Sequence, residues 1–331
     1  MISRPEQSGE GEPPRRPAVS IIVPAYKTAS FIGETLSSII AQTFQDFEII
    51  VVNDGSPDTV ELERVLQPYR ERITYIVQEN RGLSAARNAG IAVARGELVA
   101  LLDSDDTWER EYLERQIEEL HRQQLDVVYA DATTFGDPLR SGRRFMDVHP
   151  SSGPVTITSL VTQQCNVMVS VLARRSALVA AGLFDESLRS SEDFDMWLRI
   201  VHGGGRIGYH RRPLVRSRLR PGSLSADGVS MCEHIIRVLD KASRELTLTP
   251  AEQSAIADRR AMFAAVLRLH EGKRAFFAGD YGDAMTRLAQ ANDHLRSPKL
   301  RVTLVLMRFV PGLLLRAYDL RDRLVFGAST R

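Results

Sequence analysis

Short runs of consecutive apolar residues recur along the first 130 positions of the chain, separated by stretches with helical spacing. The runs 18–23, 47–52, 73–77 and 98–102 would bury both faces of a strand, as the central strands of a parallel sheet do. Between them, segments such as 31–42 place apolar residues three and four positions apart, which predicts amphipathic helices. Strands that alternate with helices predict an α/β fold with a doubly wound, mostly parallel sheet.

The regular alternation of predicted strands and helices ends after a further strand at 127–130. The polar stretch 135–153 predicts a loop, and from about residue 226 only helical spacing remains. We therefore expect a disordered tail at 1–16, an α/β domain at 17–225 and an all-helical C-terminal domain at 226–331. The elements expected between the loop and the helical part are a strand at 167–173, helices at 175–181 and 193–201, and short strands at 207–210 and 215–219.

Composition narrows the class of protein. The 331 residues carry a formal net charge of +1, so no general affinity for polyanions is expected and nucleic acid is not an expected partner. The tail is rich in Pro, Gly, Glu and Arg and lacks the apolar core of a signal peptide. Cys165 and Cys232 have neither metal nor redox spacing, which favours a reducing, cytoplasmic compartment. No segment reaches the roughly 18 uninterrupted apolar residues of a membrane-spanning helix.

Polar clusters follow three of the predicted strands. They are Pro-Ala-Tyr-Lys at 24–27, Asn-Asp-Gly-Ser at 53–56 and Asp-Ser-Asp-Asp at 103–106. The carboxyl ends of parallel strands lie at one edge of a sheet, where open α/β sheets bind ligands. Each cluster taken alone is equally compatible with ordinary turn chemistry. Their convergence on one edge favours a binding site.

The cluster at 103–106 carries the most chemistry, because its three carboxylates repel one another unless a cation or a hydrogen-bonding polyol lies between them. Mg²⁺ or Mn²⁺ carrying a diphosphate would suit these oxygen ligands. The alternative is a solvated acidic turn in which Asp106 or Thr107 caps the following helix.

The residues after the first strand exclude two classes of nucleotide-binding protein. No glycine occurs there until Gly33, so neither the G-x-G-x-x-G turn of dinucleotide-binding proteins nor a P-loop is present. Farther along, Glu192 and Asp193 begin a predicted helix. They are either helix-capping carboxylates or a general base that takes a proton from a substrate hydroxyl.

Six segments carry a further signal when they are taken together. They are 19–26 and 52–58 at strand ends, the helix signature Asn-Arg-Gly-Leu-Ser-Ala-Ala-Arg-Asn-Ala-Gly at 80–90, the D-x-D motif at 103–106, Arg174–Arg175 with Gly-Leu-Phe-Asp-Glu at 182–186, and Glu-Asp through Trp-Leu-Arg at 192–199. In order and spacing they resemble family-2 glycosyltransferases, which have the GT-A fold. The resemblance covers about residues 17–225.

The resemblance implies a role for each matching residue. Asp193 would be the catalytic base, and Glu192 would support it or contact the acceptor. Trp197 would line the acceptor pocket or pack beneath it. Asp103 would face the ribose or the sugar, and Asp105 would hold Mn²⁺ or Mg²⁺ together with Asp103. The residues implied in nucleotide-sugar binding, with Asp54 at the base, are Pro24, Ala25, Tyr26, Asp54, Arg81, Arg87, Asp103, Ser104 and Arg220.

Two positions depart from the family pattern. Asn53 stands where the family usually has an acidic residue, and it keeps the acceptor capacity but lacks the charge. Arg220 stands where many relatives carry a histidine. An arginine cannot ligate a metal but pairs bidentately with a diphosphate, so the metal would have one protein ligand fewer and the diphosphate one cation more.

The resemblance implies an inverting, metal-dependent hexosyltransferase. It would move a sugar from a nucleoside-diphosphate sugar, with a UDP-sugar favoured, to a saccharide or lipid-linked acceptor in surface polysaccharide or glycolipid biosynthesis. A sugar nucleotidyltransferase shares this architecture but would need a Gly- and Arg-rich phosphate loop after the first strand. An inactive GT-A scaffold acting through its helical domain is the other alternative. The presence of Asp54, Asp103, Asp105 and Asp193 argues against it.

The helical part adds an interaction surface. Residues 275–284 resemble one tetratricopeptide-like hairpin, which cannot bury a core alone and is expected to pack on the α/β domain or on another subunit. The apolar segment 302–315 is interrupted by Arg308 and by Pro311–Gly312, and basic residues flank it. It predicts either an ordinary packing helix or an interfacial anchor that places residues 299–323 against the inner face of the cell membrane.

Overall fold

The computed structural model describes residues 2–3, 16–137, 141–220 and 227–312. The chain divides into two compact units. The first comprises Met1–Ser223 with Ala242–Glu252, and the second comprises Leu224–Lys241 with Gln253–Arg331. The boundary expected after residue 225 and most of the expected tail lie outside the described residues.

The strands belong to the first unit. They are β1 (Ile2–Ser3), β2 (Val19–Ala25), β3 (Phe47–Asp54), β4 (Ile73–Gln78), β5 (Leu98–Leu101), β6 (Thr107–Trp108), β7 (Val127–Phe135), β8 (Val171–Arg174) and β9 (Ile207–Arg218). Within the described ranges they form one sheet in the order β1-β4-β3-β2-β5-β8-β7-β9-β6.

Helices connect the strands of the first unit and make up the second. They are α1 (Ile32–Ile40), α2 (Thr59–Leu66), a 3₁₀ helix (Gln67–Arg72), α3 (Leu83–Val93), α4 (Tyr112–Arg122), α5 (Phe145–Val148), α6 (Ile157–Val161), α7 (Arg175–Ala180), α8 (Glu192–His202), α9 (Gly228–Glu245), α10 (Pro250–Phe277), α11 (Tyr281–Leu295) and α12 (Pro298–Phe309).

The centre of the sheet has the predicted α/β arrangement. Strands β4, β3, β2 and β5 are parallel neighbours, and β7 and β9 form a second parallel pair. Strand β8 runs antiparallel to both β5 and β7 and so joins the two parallel groups. The sheet is therefore mixed but mostly parallel. Every residue of β2 is buried, as its continuous apolar run predicts for a central strand.

Three local predictions differ from the structure. The two short strands expected at 207–210 and 215–219 are one strand, β9, with a bulge where it pairs near Asp131. Exposed Arg211 and Arg212 at this bulge interrupt the apolar pattern. The expected loop 135–153 contains α5, which at four residues is too short to show a helical period. Helix α6 was not predicted, although Thr156 begins it with a capping box.

The main hydrophobic core holds the strand ends in place. Buried side chains from β2, α1, α2 and α4 meet in one cluster, which includes Ile21, Leu36, Leu62 and Leu120. At about 25 cal/mol per Å² of apolar surface removed from water, this burial is the dominant stabilising term for the unit. The loops that follow β2, β3 and β5 therefore start from fixed positions.

The second unit has a core of its own. Phe276, Ala284, Leu288, Leu300 and Met307 are buried together where the end of α10, α11 and α12 pack. Residues 278–280 form the turn between α10 and α11, at the predicted position of the helical hairpin. In the described part of the chain, no helix is long and apolar enough to cross a membrane.

Candidate active site

The three polar clusters meet at one edge of the sheet, as the sequence predicts. Strands β3, β2 and β5 are consecutive parallel neighbours, so their carboxyl ends lie side by side. The Lys27 amide donates to Ser56 Oγ (2.7 Å), and Ser104 Oγ donates to Thr28 Oγ1 (2.8 Å). This second hydrogen bond joins the D-x-D loop to the loop after β2, and Ser104 is buried there.

Asp54 organises the loop that leads into α3. Its Oδ1 accepts from Gln78 Nε2 (2.7 Å) and from the Arg81 amide (2.9 Å), and its Oδ2 accepts from the Gly82 amide (2.8 Å). Gly82 has a φ of 91°, which glycine adopts without strain. Asp54 thus satisfies amides at the start of α3, as a capping carboxylate does. Its contact with a nucleotide base remains a prediction, and a carboxylate oxygen can accept more than one hydrogen bond.

The departure from the family pattern at Asn53 has a structural explanation. The side chain is fully buried, and its Nδ2 donates to Thr59 Oγ1 and to Tyr75 OH (2.9 Å each). Its Oδ1 accepts from the Ser56 amide (2.9 Å). The Thr59 hydroxyl already donates to the Ser56 carbonyl, so it needs a donor from residue 53. An amide supplies that donor and an ionised carboxylate cannot.

An exposed ring and an exposed cation stand at this edge of the sheet. Pro24 and Ala25 are buried within β2, whereas Tyr26 is 41% exposed. Lys27 Nζ lies 5.2 Å from the centroid of the Tyr26 ring. Arg81 is largely exposed and donates to Glu186 Oε2 (2.6 Å). Tyr26 and Arg81 are therefore accessible to a nucleotide that stacks or carries phosphate.

Arg87 connects the D-x-D loop to the start of α8. Its side chain is 1% exposed, and Nη2 donates to Asp103 Oδ1 (2.9 Å) while Nη1 donates to Glu192 Oε1 (2.5 Å). The Phe184 ring covers the guanidinium at 5.3 Å. The side-chain contacts of Arg87 are thus with the protein's own carboxylates. The nucleotide-sugar contact that the resemblance implies for Arg87 stays a prediction.

Asp193 lies in the first turn of α8, next to Glu192. It is partly exposed, and its Oδ1 accepts from the Phe194 amide (2.7 Å). Burial and the neighbouring Glu192 charge raise the pKa of Asp193 to about 7, although Arg87 acts in the opposite direction. A carboxylate with a pKa near neutrality suits a general base, because it is ionised at the working pH and still accepts a proton.

Trp197 lies in α8, and its side chain is 1% exposed, as a residue that packs in the interior would be. Its role in an acceptor pocket stays a prediction. Glu192 is also buried, and its carboxylate is held by Arg87.

Asp105, predicted to hold the metal, is paired with an arginine. Arg220 Nε lies 2.5 Å from Asp105 Oδ2. Burial and the charge of Asp103 raise the pKa of Asp105, and Arg220 opposes that rise. Sequence reasoning missed Arg218, whose Nε donates to the Asp105 carbonyl (2.8 Å) and whose Nη2 donates to Glu34 Oε2 (2.5 Å). Its place two residues before Arg220 at the end of β9 was the available signal.

Asp106 does not cap the following helix, which was the alternative to a metal site, but joins its loop to β9 and α1. Its Oδ1 accepts from the Arg218 amide (2.7 Å), and its carbonyl accepts from Thr35 Oγ1 (2.8 Å). Burial and the neighbouring carboxylates raise its pKa well above the usual range. Thr107 begins β6, which pairs with β9, and α4 begins only at Tyr112. The helix-cap alternative is therefore wrong, because β-pairing separates the motif from the helix.

The residues present do not fit a divalent ion as they are arranged. The two predicted ligands, Asp103 and Asp105, each bind a guanidinium through one carboxylate oxygen. Among the residues that the structure describes, no group of three or more His, Cys, Asp or Glu side chains is arranged to hold a metal. The third carboxylate of the motif, Asp106, accepts a hydrogen bond at Oδ1 from the Arg218 backbone amide.

Comparison with known proteins agrees with this architecture. The family described as glycosyl transferase family 2 matches residues 20–170. An uncharacterized glycosyltransferase of Rickettsia typhi is 30% identical over 66% of this chain and 69% of its own length. EpsJ of Bacillus subtilis, an uncharacterized glycosyltransferase, is 34% identical over 63% of each chain. The chain matches about a third of the length of other relatives, such as 34% of a Rickettsia felis protein.

Solved structures show the same fold at low identity. TarS 1–349 of S. aureus in complex with UDP has a TM-score of 0.59 at 20% identity, with 88% of this chain and 86% of that chain covered. A mannosyltransferase of Pyrobaculum calidifontis in complex with GDP-Man and Mn²⁺ has a TM-score of 0.60 at 20% identity, with 94% and 90% covered. The chain therefore belongs to glycosyltransferase family 2 and has the GT-A fold.

Proposed function

We propose that this protein transfers a sugar from a nucleoside-diphosphate sugar to an acceptor hydroxyl, with inversion at the anomeric carbon. The observation that carries the proposal is the link Glu192–Arg87–Asp103, which holds the start of α8 against the D-x-D loop. Asp193 follows Glu192 in α8, and burial with the Glu192 charge raises its pKa to about 7, which supports its proposed role as the base.

In this proposal Asp193 accepts the proton of the acceptor hydroxyl. The hydroxyl oxygen forms a bond to the anomeric carbon while the bond from that carbon to the diphosphate oxygen breaks. A glycoside and a nucleoside diphosphate leave, and the proton remains on Asp193 until it passes to solvent. A single displacement on the face opposite the leaving group inverts the configuration. Positive charge near the diphosphate stabilises the charge that develops there.

The exposed Tyr26 ring and the Asp54 loop are the proposed nucleotide subsite. Related folds bind nucleotides of more than one base, because the TarS structure holds UDP and the Pyrobaculum enzyme holds GDP-Man. We favour a UDP-sugar as the donor.

A panel of nucleotide sugars tests the activity. The full chain is incubated with UDP-, GDP-, ADP- and dTDP-sugars and simple saccharide acceptors, and the released nucleoside diphosphate is measured. Wild type should turn over at least one donor. Asp193→Asn should lose about 10²-fold or more in rate, the scale of general-base removal. Glu61→Gln makes the same carboxylate-to-amide change at an exposed position of α2, so it is the matched control and should keep wild-type activity. No turnover of any donor would favour the inactive-scaffold alternative.

An exposed face of the second unit supports a proposal about the class of acceptor. Helix α12 buries Leu300 and Met307 on one face and exposes a second apolar face, with Phe309 at 74% and Val302 at 59% exposure. The exposed face follows helical spacing through Val302, Val305, Leu306, Phe309 and Val310. We call this face the α12 stripe.

Charge indicates what covers the α12 stripe. Residues 294–318 contain five arginine or lysine side chains and no Asp or Glu, in a chain whose basic and acidic residues are otherwise nearly equal in number. Anionic lipid attracts each basic side chain near its surface by about 1 kcal/mol. We infer that α12 lies on an anionic membrane surface and that the acceptor is a lipid-linked or membrane-bound saccharide of a surface polysaccharide or glycolipid pathway. The Arg residues at 316, 321 and 323 lie outside the described residues.

Liposome co-sedimentation of the full chain tests the membrane contact. Wild type should pellet with vesicles of phosphatidylserine and phosphatidylcholine but not with phosphatidylcholine alone. Val305→Glu with Phe309→Glu should abolish pelleting. Ala289→Glu with Gln290→Glu adds the same charge on exposed positions of α11 and should not. Equal, negligible pelleting of all variants would contradict the inference. A concentration-dependent dimer that the stripe variant loses would show instead that a second copy covers the stripe.

A further inference from the structure

We propose that the Arg220 guanidinium stands where a divalent ion would bind at Asp105, so that the protein binds a nucleoside diphosphate without metal. This inference rests on the proposed function and deepens it, because it assigns the cation that meets the leaving diphosphate. It departs from the metal-dependent site that the sequence predicts.

The first support is the position of the ion pair. Asp105 and Arg220 are joined at 2.5 Å, and their side chains keep 17% and 24% exposure, so the pair is accessible from the solvent side. The bond uses Nε of Arg220. Neither Nη group of Arg220 donates to a residue in the described ranges, and the Phe31 ring lies 5.7 Å from the guanidinium carbon. A guanidinium has five N–H donors in a planar fork, which is the geometry that bidentate contact with a phosphate needs.

The second support is the local balance of charge. Arg87 pairs with Asp103, and Arg220 pairs with Asp105. The backbone amide of Arg218 satisfies Asp106, and the guanidinium of Arg218 bonds the Asp105 carbonyl. The carboxylates of the D-x-D motif therefore already have cationic or amide partners from the chain. A divalent ion at Asp105 would have to displace Arg220 or lie against a like charge, which is unfavourable.

The third support is the chemistry that the arginine offers. The Arg220 guanidinium supplies a positive charge next to Asp105. Charge-assisted hydrogen bonds from a planar fork are suited to a diphosphate. Arg218, stacked 4.8 Å from the Phe31 ring and bonded to the Asp105 carbonyl, supports the same loop from the protein side.

Isothermal titration of the full chain with UDP, GDP, ADP, CDP and dTDP tests the inference, in EDTA and separately in Mn²⁺. For the nucleotide that binds, Kd in EDTA should agree with Kd in Mn²⁺ within about twofold. Arg220→His removes the fixed charge and offers a ring nitrogen that can ligate a metal. It should weaken binding in EDTA by about 10-fold or more, the cost of a lost charge-assisted hydrogen bond, and Mn²⁺ should restore part of the affinity.

Two further variants keep the test decisive. Arg115→His, at a partly exposed position of α4, is the matched control and should bind as wild type does. Arg220→Lys keeps the charge without the fork and should give an intermediate Kd in EDTA. Binding by wild type in Mn²⁺ but not in EDTA would overturn the inference and leave the proposed function standing. Absence of binding for all five nucleotides in both conditions would overturn both.

Discussion

Replacing Arg87 by methionine tests the link between the D-x-D loop and α8. Methionine fills a similar volume but leaves the carboxylates of Glu192 and Asp103 without their shared cation. Glu192 is 6% exposed, and removing one partner of a buried ion pair costs about 3–5 kcal/mol. Asp103 is 33% exposed, so solvent screens its share of the loss. We expect the free energy of unfolding to fall by about 3–5 kcal/mol.

Urea unfolding at pH 7.5 measures this loss, and a double variant separates charge from packing. Arg87→Met with Glu192→Gln removes both charges of the buried pair and should recover most of the lost stability. An Arg87→Met protein within about 0.5 kcal/mol of wild type would refute the reasoning, since that is the range of ordinary surface substitutions.

The same substitution has a second, independent readout in the pH profile of activity. Arg87 is the cation that lowers the pKa of Asp193, whose value of about 7 already reflects its burial and the Glu192 charge. Without Arg87 the pKa of Asp193 should rise, so the acid limb of kcat/KM should move above pH 7. A residue with only a structural role would lower the amount of folded enzyme and leave that limb in place.

Three further predictions follow from single side chains. Wild-type kcat/KM should fall below pH 7, as protonation of Asp193 removes the base. The raised pKa means that folded Asp193 holds its proton more tightly than the unfolded chain does. Stability from this group is therefore lost as pH rises from about 4 to about 7, and Asp193→Asn should gain thermal stability over wild type across that window. Asn53→Asp should lower the free energy of unfolding by about 1–3 kcal/mol in urea, because Thr59 and Tyr75 lose a buried donor.

The sequence predicted those parts of the fold that local pattern controls. Continuous apolar runs correctly predicted β2, β3, β4 and β5. A strand that is buried on both faces is apolar at successive positions, so its sequence is easy to recognise. It also predicted that the three polar clusters share an edge, since parallel strands have their carboxyl ends together. The sequence predicted two short strands where the structure has the single strand β9, because the exposed Arg211 and Arg212 at its bulge interrupt the apolar pattern.

Contacts between side chains that are far apart in the sequence could not be predicted from local pattern. The resemblance implies Arg87 in nucleotide-sugar binding, which stays a prediction. Its buried pairing with Glu192, which is 105 positions away, could not be predicted from the sequence. The pairing of Arg220 with Asp105 spans 115 positions and follows from the return of β9 beside β6. In the sequence, Asn53 differs from the family's usual acidic residue only by a missing charge. In the structure its amide donates to the hydroxyl groups of Thr59 and Tyr75, which only the fold brings together.

The stereochemistry of the first product tests the central claim most directly. Proton NMR can follow the anomeric signal when wild type acts on the donor identified from the nucleotide-sugar panel. The account predicts a new glycosidic anomeric signal with the configuration opposite to that of the donor, because one displacement assisted by Asp193 inverts the centre. A product with retained configuration, or no new anomeric signal with any donor, would contradict it.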